Sequence, residues 1–268
     1  ELRRTKAERT NHSLEEILNS SQINNITFNR DSTYVKYFLD GTRRAYYLCD
    51  MATSDGTIVP IIAGQISSAI LKRNRNDGKL ELHKYIQRGL LLIPKGGGGL
   101  NEGDADEIKS EVEKNFAKYN LFVEFVTMRN KETPQNNFLA KLNMEMQNLE
   151  VKSLEEMTND QEVNQSNMII VDGALQFQNI KREKIGNLRY AVGLSKNFNL
   201  HLTNVIGKTK EIGTLLVNLN NVGDRTVAYS LQMDNGNKYA FWYLRLRPKQ
   251  YLNYPFAGIV KVEKALVT

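Results

Sequence analysis

The stretch SNMIIVDGALQFQ, residues 166–178, decides the fold class because it joins an apolar strand to an acidic end. Met168–Val171 form an unbroken apolar run, which is typical of a buried strand. The run ends at Asp172-Gly173, with no Lys or Arg beside it in the sequence. Burial of an unpaired carboxylate is costly, so we expect a positive charge to reach Asp172 from elsewhere.

The whole chain is long enough for one large domain or two small ones, with 268 residues, 41% hydrophobic and 25% charged. It contains no apolar run long enough for a membrane span, and the start, ELRRTKAERT, lacks the apolar region of a signal peptide. Cys49 is the single cysteine, which excludes an internal disulfide framework and a cysteine-based zinc site. We therefore expect a cytoplasmic protein that does not enter the membrane.

The charge balance is mildly basic, with 36 Lys and Arg against 30 Asp and Glu. This balance is compatible with a polyanionic partner such as DNA. The three histidines, His12, His83 and His201, have no partner at metal-ligand spacing. Any metal site would therefore use oxygen ligands, which suit Mg²⁺ or Mn²⁺.

The first half of the chain mixes strand and helix patterns. Residues 1–30 are predicted to be a basic extension with an amphipathic helix. STYVKYFLDGTRRAYYLCDMAT, residues 32–53, predicts two strands around a glycine turn. TIVPIIAGQISSAILKR, residues 57–73, predicts a strand that gives way to a helix, and Pro60 indicates an edge strand or a strand end.

The second half supports a mixed α/β sheet flanked by helices. PKGGGG, residues 94–99, lacks the Gly-Lys-Ser/Thr ending of a phosphate loop and favours a linker into a capped helix. NNFLAKLNMEMQNLEVKSLEEM, residues 136–157, predicts a long helix. Residues 212–219 could form a strand or a short helix, and three strands are predicted in residues 226–233, 238–248 and 256–265.

Two apolar strands end in Asp-Gly, at Asp40 and at Asp172. Each could simply be a turn, because Asp-Gly is a common turn pair. In α/β sheets, however, ligands bind outside the carboxyl ends of strands, where two carboxylates could share a divalent cation. On a helical projection at about 100° per residue, Glu150 falls inside the apolar arc of the long helix, and Glu145 lies at the edge of that arc. Glu150 is either a third ligand or the partner of a core Arg or Lys. As a third ligand it would share with Asp40 and Asp172 a metal ion that supplies the positive charge missing beside Asp172.

The ordered motifs resemble the NurA nuclease family. They are YFLDGTRRAYYL, MQNLE in the long helix, IIVDGAL, YAVGLSK, FWYLRLR and PFAGIVKVE, and they extend over about residues 34–264. The resemblance implies an RNase H-like, Piwi-like core, with residues 31–268 as the nuclease domain and a helical insertion around 66–157. It also implies Mn²⁺- or Mg²⁺-dependent DNA cleavage, a homodimer, and a HerA-type hexameric ATPase as partner, in DNA end processing for repair or anti-phage defence.

The resemblance also assigns individual residues. Asp40, Glu150 and Asp172 match the acidic residues of the family, with Glu145 as the alternative helix acid, and Lys196 matches the basic residue after the Val-Gly strand. Thr42 stands where the family motif has Ser. Lys261 occupies the position of a family Arg, which keeps the charge but loses bidentate phosphate binding.

Other basic residues could contact DNA. Arg43 and Arg44 lie three and four residues after Asp40, and at most one of them should point towards the site, because successive strand residues face opposite sides. In FWYLRLRPK, Tyr243, Arg245 and Arg247 alternate with apolar residues. That face could follow a nucleic-acid backbone and stack a base, or it could be an ordinary solvated face.

Three functions are compatible with these patterns. The first is a metal-dependent DNA nuclease, in which carboxylates hold the cations and Lys196 stabilises developing charge. The second is a catalytically inactive NurA-like subunit that binds DNA or supports assembly. The third, a small-molecule α/β enzyme, is disfavoured because no nucleotide-binding motif and no Ser-His-Asp or Cys-His arrangement is visible.

Overall fold

A computed structural model describes residues 33–52, 56, 58–96, 99–127, 134–177, 180–203, 209–233, 235–249 and 254–267. The chain divides into two compact units. The central unit comprises Leu39–Lys72 and Leu80–Ser153, and the described part of the C-terminal unit comprises residues 33–38, 73–79 and 154–267. The predicted extension at residues 1–30 lies outside the described residues.

The described residues form eleven β-strands and three α-helices, a mixed α/β architecture. The strands are β1 Val35–Ala52, β2 Ile58–Arg73, β3 Leu80–Lys95, β4 Leu121–Thr127, β5 Met168–Asp172, β6 Ala191–Ser195, β7 His201–Thr203, β8 Thr209–Glu211, β9 Tyr229–Gln232, β10 Lys238–Arg245 and β11 Ile259–Ala265. The helices are α1 Glu102–Phe116, α2 Pro134–Asn159 and α3 Gly213–Val217. The predicted mixed α/β class is therefore confirmed, whereas the RNase H-like character of the fold stays a prediction.

The central unit arranges its strands in the order β4-β3-β2-β1, with β3 and β4 parallel. One core cluster packs apolar residues of β2, β3 and β4 against those of α2, including Phe138, Leu142 and Leu149. Asn101 caps α1, since its Oδ1 accepts the backbone N–H of Asp104 at 2.9 Å. The predicted linker into a capped helix is therefore confirmed at the helix start.

The C-terminal unit arranges its strands in the order β5-β6-β11-β10-β9. β5 and β6 are parallel, whereas the pairs β6–β11, β11–β10 and β10–β9 are antiparallel. The three predicted C-terminal strands are confirmed, and residues 213–217 form a helix rather than a strand. β7 and β8 pair separately.

Three predictions for the first half are wrong. Residues 35–52 form one strand that passes through Gly41 without a turn, because strand-favouring residues lie on both sides, with Val35 and Tyr37 before Gly41 and Tyr46 after it. Residues 58–73 are strand throughout, and Pro60 is the third residue of a strand flanked by β1 and β3. The segment 66–157, expected to be a helical insertion, contains β3 and β4 as well as α1 and α2.

The long helix predicted within residues 136–157 is confirmed as α2, which has 26 residues. Its buried positions include Leu142, Leu149, Leu154 and Met157, which belong to the predicted apolar arc. Among the helices of the described residues, none combines the length and the apolar character that crossing a bilayer requires.

Candidate active site

Asp40 lies in β1 at the point where the strand changes from buried to exposed. Leu39 has 1% of its surface exposed, whereas the side chain of Asp40 and residues 42–50 are exposed. Gly41 continues the strand, so the Asp-Gly pair is not a turn here. The carboxylate of Asp40 therefore meets solvent directly beside the core of the central unit.

Glu150 is the buried acid of α2, with 5% of its surface exposed. A methyl group built onto Gly41 would overlap the Glu150 Oε1 atom and would lie 3.0 Å from both Glu150 Cδ and Met146 Cγ. The Glu150 carboxylate thus packs on the backbone of the residue that follows Asp40. The helical projection correctly placed this acid on the core side of α2, although its ligand role stays a prediction.

Glu145, the alternative helix acid, has a different environment. Its Oε1 accepts a hydrogen bond from Lys141 Nζ at 2.8 Å, and its Oε2 accepts one from Asn148 at 3.2 Å. Lys141 also contacts Glu124 at 2.8 Å, and burial tends to lower the pKa of Lys141 while the two carboxylates raise it, with a net rise. Glu145 is therefore paired with Lys141, whereas Glu150 packs against Gly41, and the choice between the two as a ligand stays a prediction.

Asp172 ends β5 in the C-terminal unit and lies opposite Leu194 of the parallel strand β6. Its Oδ2 accepts a hydrogen bond from Lys196 Nζ at 2.7 Å. The positive charge beside Asp172 in the structure is the Lys196 ammonium at the end of the neighbouring strand, whereas a metal ion in this role stays a prediction. The side chains of Lys196 and Asp172 are 74% and 43% exposed, so this pair contributes little stability and remains accessible to a ligand.

A second ion pair in the C-terminal unit is fully buried and was not predicted. Glu263 and Lys261 project from β11, with 0% and 5% of their side chains exposed and 2.9 Å between Oε1 and Nζ. Glu263 also accepts the backbone N–H of Leu175 at 2.8 Å and the side-chain amide of Gln176 at 2.6 Å. It thereby fixes the segment that follows Asp172. Charged residues at alternate positions of an apolar strand were the available sequence signal.

The prediction that Lys261 and the β10 face with Tyr243 and Arg245 contact DNA is wrong about their exposure, because these side chains are buried. Lys261 lies against the Phe241 ring, with 4.8 Å from Nζ to the centroid, and does not reach solvent as a phosphate contact would require. Tyr243 and Arg245 share a face as predicted, but that face is buried, with 1% and 0% exposed surface. The reason is that the aromatic side of β10 packs in the core of its unit.

The exposed basic candidates are Arg43, Arg44 and Arg247. Arg43 Nε donates a hydrogen bond to Asn143 Oδ1 of α2. All three side chains are exposed, as contact with DNA requires. Their DNA-binding role stays a prediction.

No group of three or more His, Cys, Asp or Glu side chains that could hold a metal ion occurs among the residues that the structure describes. Asp40 and Glu150 are carboxylates, the donors that hard cations prefer. Glu150 lies on the Gly41 side of β1, and successive strand residues face opposite sides.

Comparison with solved structures gives a structural likeness, whereas comparison with protein families and curated proteins gives none. No protein-family model matches the sequence, and no curated protein matches it. Among solved structures, the chain is similar to the NurA nuclease from Sulfolobus solfataricus, with a TM-score of 0.44 and 9% sequence identity. The similarity covers 87% of this chain and 69% of that chain.

Gly41→Ala tests the packing of Glu150 on β1. We expect a loss of about 1–3 kcal/mol in the free energy of unfolding, because the added methyl group must displace the Glu150 carboxylate or the Met146 side chain. Urea unfolding measures this loss. Gly186→Ala is the matched control, since a methyl group there meets nothing within 4 Å. Equal stability of the two variants would contradict the described packing.

Proposed function

We propose that the chain is a divalent-metal-dependent DNA nuclease that hydrolyses phosphodiester bonds. The observation that carries this proposal is the exposed pair of Asp172 and Lys196 at the neighbouring ends of the parallel strands β5 and β6, with 2.7 Å between Oδ2 and Nζ. The resemblance of the ordered sequence motifs to the NurA family supports the same chemistry.

Asp40 and Glu150 are the proposed ligands of Mn²⁺ or Mg²⁺, and Asp172 is the third acid that the resemblance assigns to catalysis. When bound, such cations lower the pKa of a water molecule and neutralise charge on the phosphate. Asp40 is exposed and can take a ligand without a change of the core, whereas the burial of Glu150 holds its carboxylate in one position.

Lys196 and the exposed arginines supply the remaining functions. The Lys196 ammonium, held by Asp172 at 2.7 Å, can donate hydrogen bonds to a phosphate oxygen and stabilise developing charge. Arg43, Arg44 and Arg247 can contact backbone phosphates, which position DNA without reading its sequence. Each of these groups is exposed, as phosphate contact requires.

The partners follow from the resemblance and belong to the same proposal. We infer a homodimer that processes DNA ends together with a HerA-type hexameric ATPase, in repair or anti-phage defence in the cytoplasm. The mildly basic composition, with a formal net charge of +6, supports DNA as the partner.

To test this proposal directly, the purified chain is incubated with end-labelled linear DNA. We expect cleavage with Mn²⁺ or Mg²⁺ and none after EDTA, because water activation and phosphate neutralisation both depend on the cation. Gel electrophoresis of the products measures it. Binding of DNA without cleavage, with and without the ATPase, would contradict the nuclease and favour an inactive DNA-binding subunit. Cleavage that persists in EDTA would contradict the metal requirement.

A further inference from the structure

We propose that Glu263 is a positioning residue of the nuclease: it holds the turn after β5 and thereby directs the Asp172 carboxylate towards Lys196. This inference rests on the proposed nuclease function. Glu263 has no exposed surface, so it does not touch DNA and acts through another residue. Asp172 is the acid within its reach, because Leu175, whose N–H binds Glu263, lies three residues further along the chain.

Two glycines let the chain turn back over β6 directly after Asp172. Gly173 has a φ of +135°, a backbone conformation that favours glycine. A methyl group built onto Gly193 of β6 would lie 2.8 Å from the Gly173 carbonyl oxygen and 3.1 Å from the Leu175 nitrogen. The turn therefore lies directly on β6, in the space that a side chain at position 193 would fill. Opposite Gly193, on the antiparallel strand β11, is Glu263.

Glu263 holds the far end of this turn, and β6 holds the near end. Glu263 Oε2 accepts the Leu175 N–H at 2.8 Å, and Leu175 itself is completely buried. At the near end, the Gly173 N–H donates to the Leu194 carbonyl oxygen at 2.9 Å. Because the turn is fixed at both ends, the backbone of Asp172 is held where its carboxylate contacts its lysine partner at 2.7 Å.

The far end of the turn requires a carboxylate rather than a neutral side chain. Three donors converge on Glu263, from Leu175, Gln176 and Lys261, at 2.8, 2.6 and 2.9 Å. A carboxylate accepts at both oxygens, whereas a glutamine would turn its NH₂ group towards one of these donors. A buried ion pair adds little stability over apolar residues of similar volume. Stability alone therefore does not account for the charges on β11, whereas the attachment of the turn does.

To test the positioning role, the side-chain ammonium signal of Lys196 is recorded by NMR in the purified chain, without DNA or divalent metal. Lys196→Met identifies the signal by its loss. Asp172→Asn should shift it, because this variant removes the charge of the carboxylate that Lys196 contacts. Glu263→Gln should reproduce most of that shift. Gly193→Ala should do the same, because its methyl group displaces the turn without changing a charge.

In the cleavage assay, positioning and DNA binding are separated by kcat and KM. We expect Glu263→Gln to lower kcat by about 10–100-fold, the usual cost of changing a residue that supports a ligand of the reacting centre. KM should change by less than about twofold, because the exposed basic side chains stay in place. Lys261→Met/Glu263→Met removes both charges and the acceptor of the Leu175 N–H, and it should show the same NMR shift and loss of kcat if Glu263→Gln fails to fold.

Leu231→Ala is the matched control for a loss of stability. Leu231 is a core residue of β9 with 3% of its surface exposed, and β11 and β10 separate β9 from β6. Its truncation destabilises the unit, as large-to-small changes in a core do. The Lys196 signal and kcat should nevertheless stay as in the wild-type chain.

An unchanged Lys196 signal in Glu263→Gln and Gly193→Ala, where Asp172→Asn shifts it, would overturn the positioning role. A shift of equal size in Leu231→Ala would also overturn it, and so would a Lys196 signal that Asp172→Asn leaves in place. The NMR result does not depend on cleavage. A chain that shows the expected shifts but cleaves no DNA contradicts the proposed nuclease and still supports the attachment of Asp172 through Glu263.

Discussion

Asp40→Asn is expected to reduce Mn²⁺-dependent DNA cleavage by at least about a hundredfold, since even residues that only support metal ligands cost 10–100-fold when changed. The substitution keeps the size of the side chain and removes the negative charge that a divalent cation requires. Asp40 is exposed, so the thermal stability of the protein should stay the same. The initial rate of cleavage of end-labelled DNA and the affinity for Mn²⁺ measure the effect.

Asp50→Asn is the matched control for this prediction. Asp50 is also an exposed aspartate of β1, but it lies ten residues further along the strand, away from Glu150. Its variant should retain the wild-type rate and Mn²⁺ affinity. A wild-type rate in Asp40→Asn would remove Asp40 from the proposed site, whereas a loss of equal size in both variants would point to a general effect of charge on DNA binding.

Glu263→Gln is expected to lower the free energy of unfolding by about 3–5 kcal/mol, which is the usual cost of removing one partner from a buried ion pair. The side chain of Lys261 is 5% exposed and would keep its charge without the carboxylate that now lies 2.9 Å away. The hydrogen bonds to the Leu175 N–H and to Gln176 would also weaken. Urea unfolding followed by circular dichroism measures the loss.

The double variant Lys261→Met/Glu263→Gln separates charge from packing. It should be more stable than Glu263→Gln alone, because it leaves no buried charge uncompensated. Asp77→Asn is the exposed control, since Asp77 pairs with Lys79 at 3.4 Å with 42% and 78% of the two side chains exposed. Its cost should stay within about 0.5 kcal/mol. A loss as small as this in Glu263→Gln would contradict the buried pair.

Strong local patterns predicted individual elements well. The apolar arc of α2 indicated both the helix and the burial of Glu150, because helical periodicity fixes which side chains share a face. The apolar run before Asp172 likewise predicted β5 and its end. Asp40-Gly41 was different, since the same two residues are compatible with a turn or with a continuing strand. Packing of α2 on Gly41 is a non-local property that the pair itself does not encode.

For the charged residues on the C-terminal strands, the sequence also predicted the local pattern but not the non-local packing. Alternation correctly grouped Tyr243 with Arg245 on one face of β10, but alternation does not say which face a second layer will cover. In the structure the core of the unit covers that face, so Arg245 binds backbone carbonyl groups instead of solvent. Lys261 is buried for the same reason, and its compensating partner, Glu263, is two residues away on its own strand.

The sequence by itself determined the strand that ends at Asp172, the long amphipathic helix with Glu150 on its apolar side, and the mixed α/β class. These features depend on periodicities of two or about 3.6 residues, which any local stretch displays. Only the tertiary structure decided that Lys196 pairs with Asp172, that Glu150 packs on Gly41, and which face of β10 is buried. Each of these depends on contacts between residues far apart in the chain, where packing and the cost of burying charge select the partner.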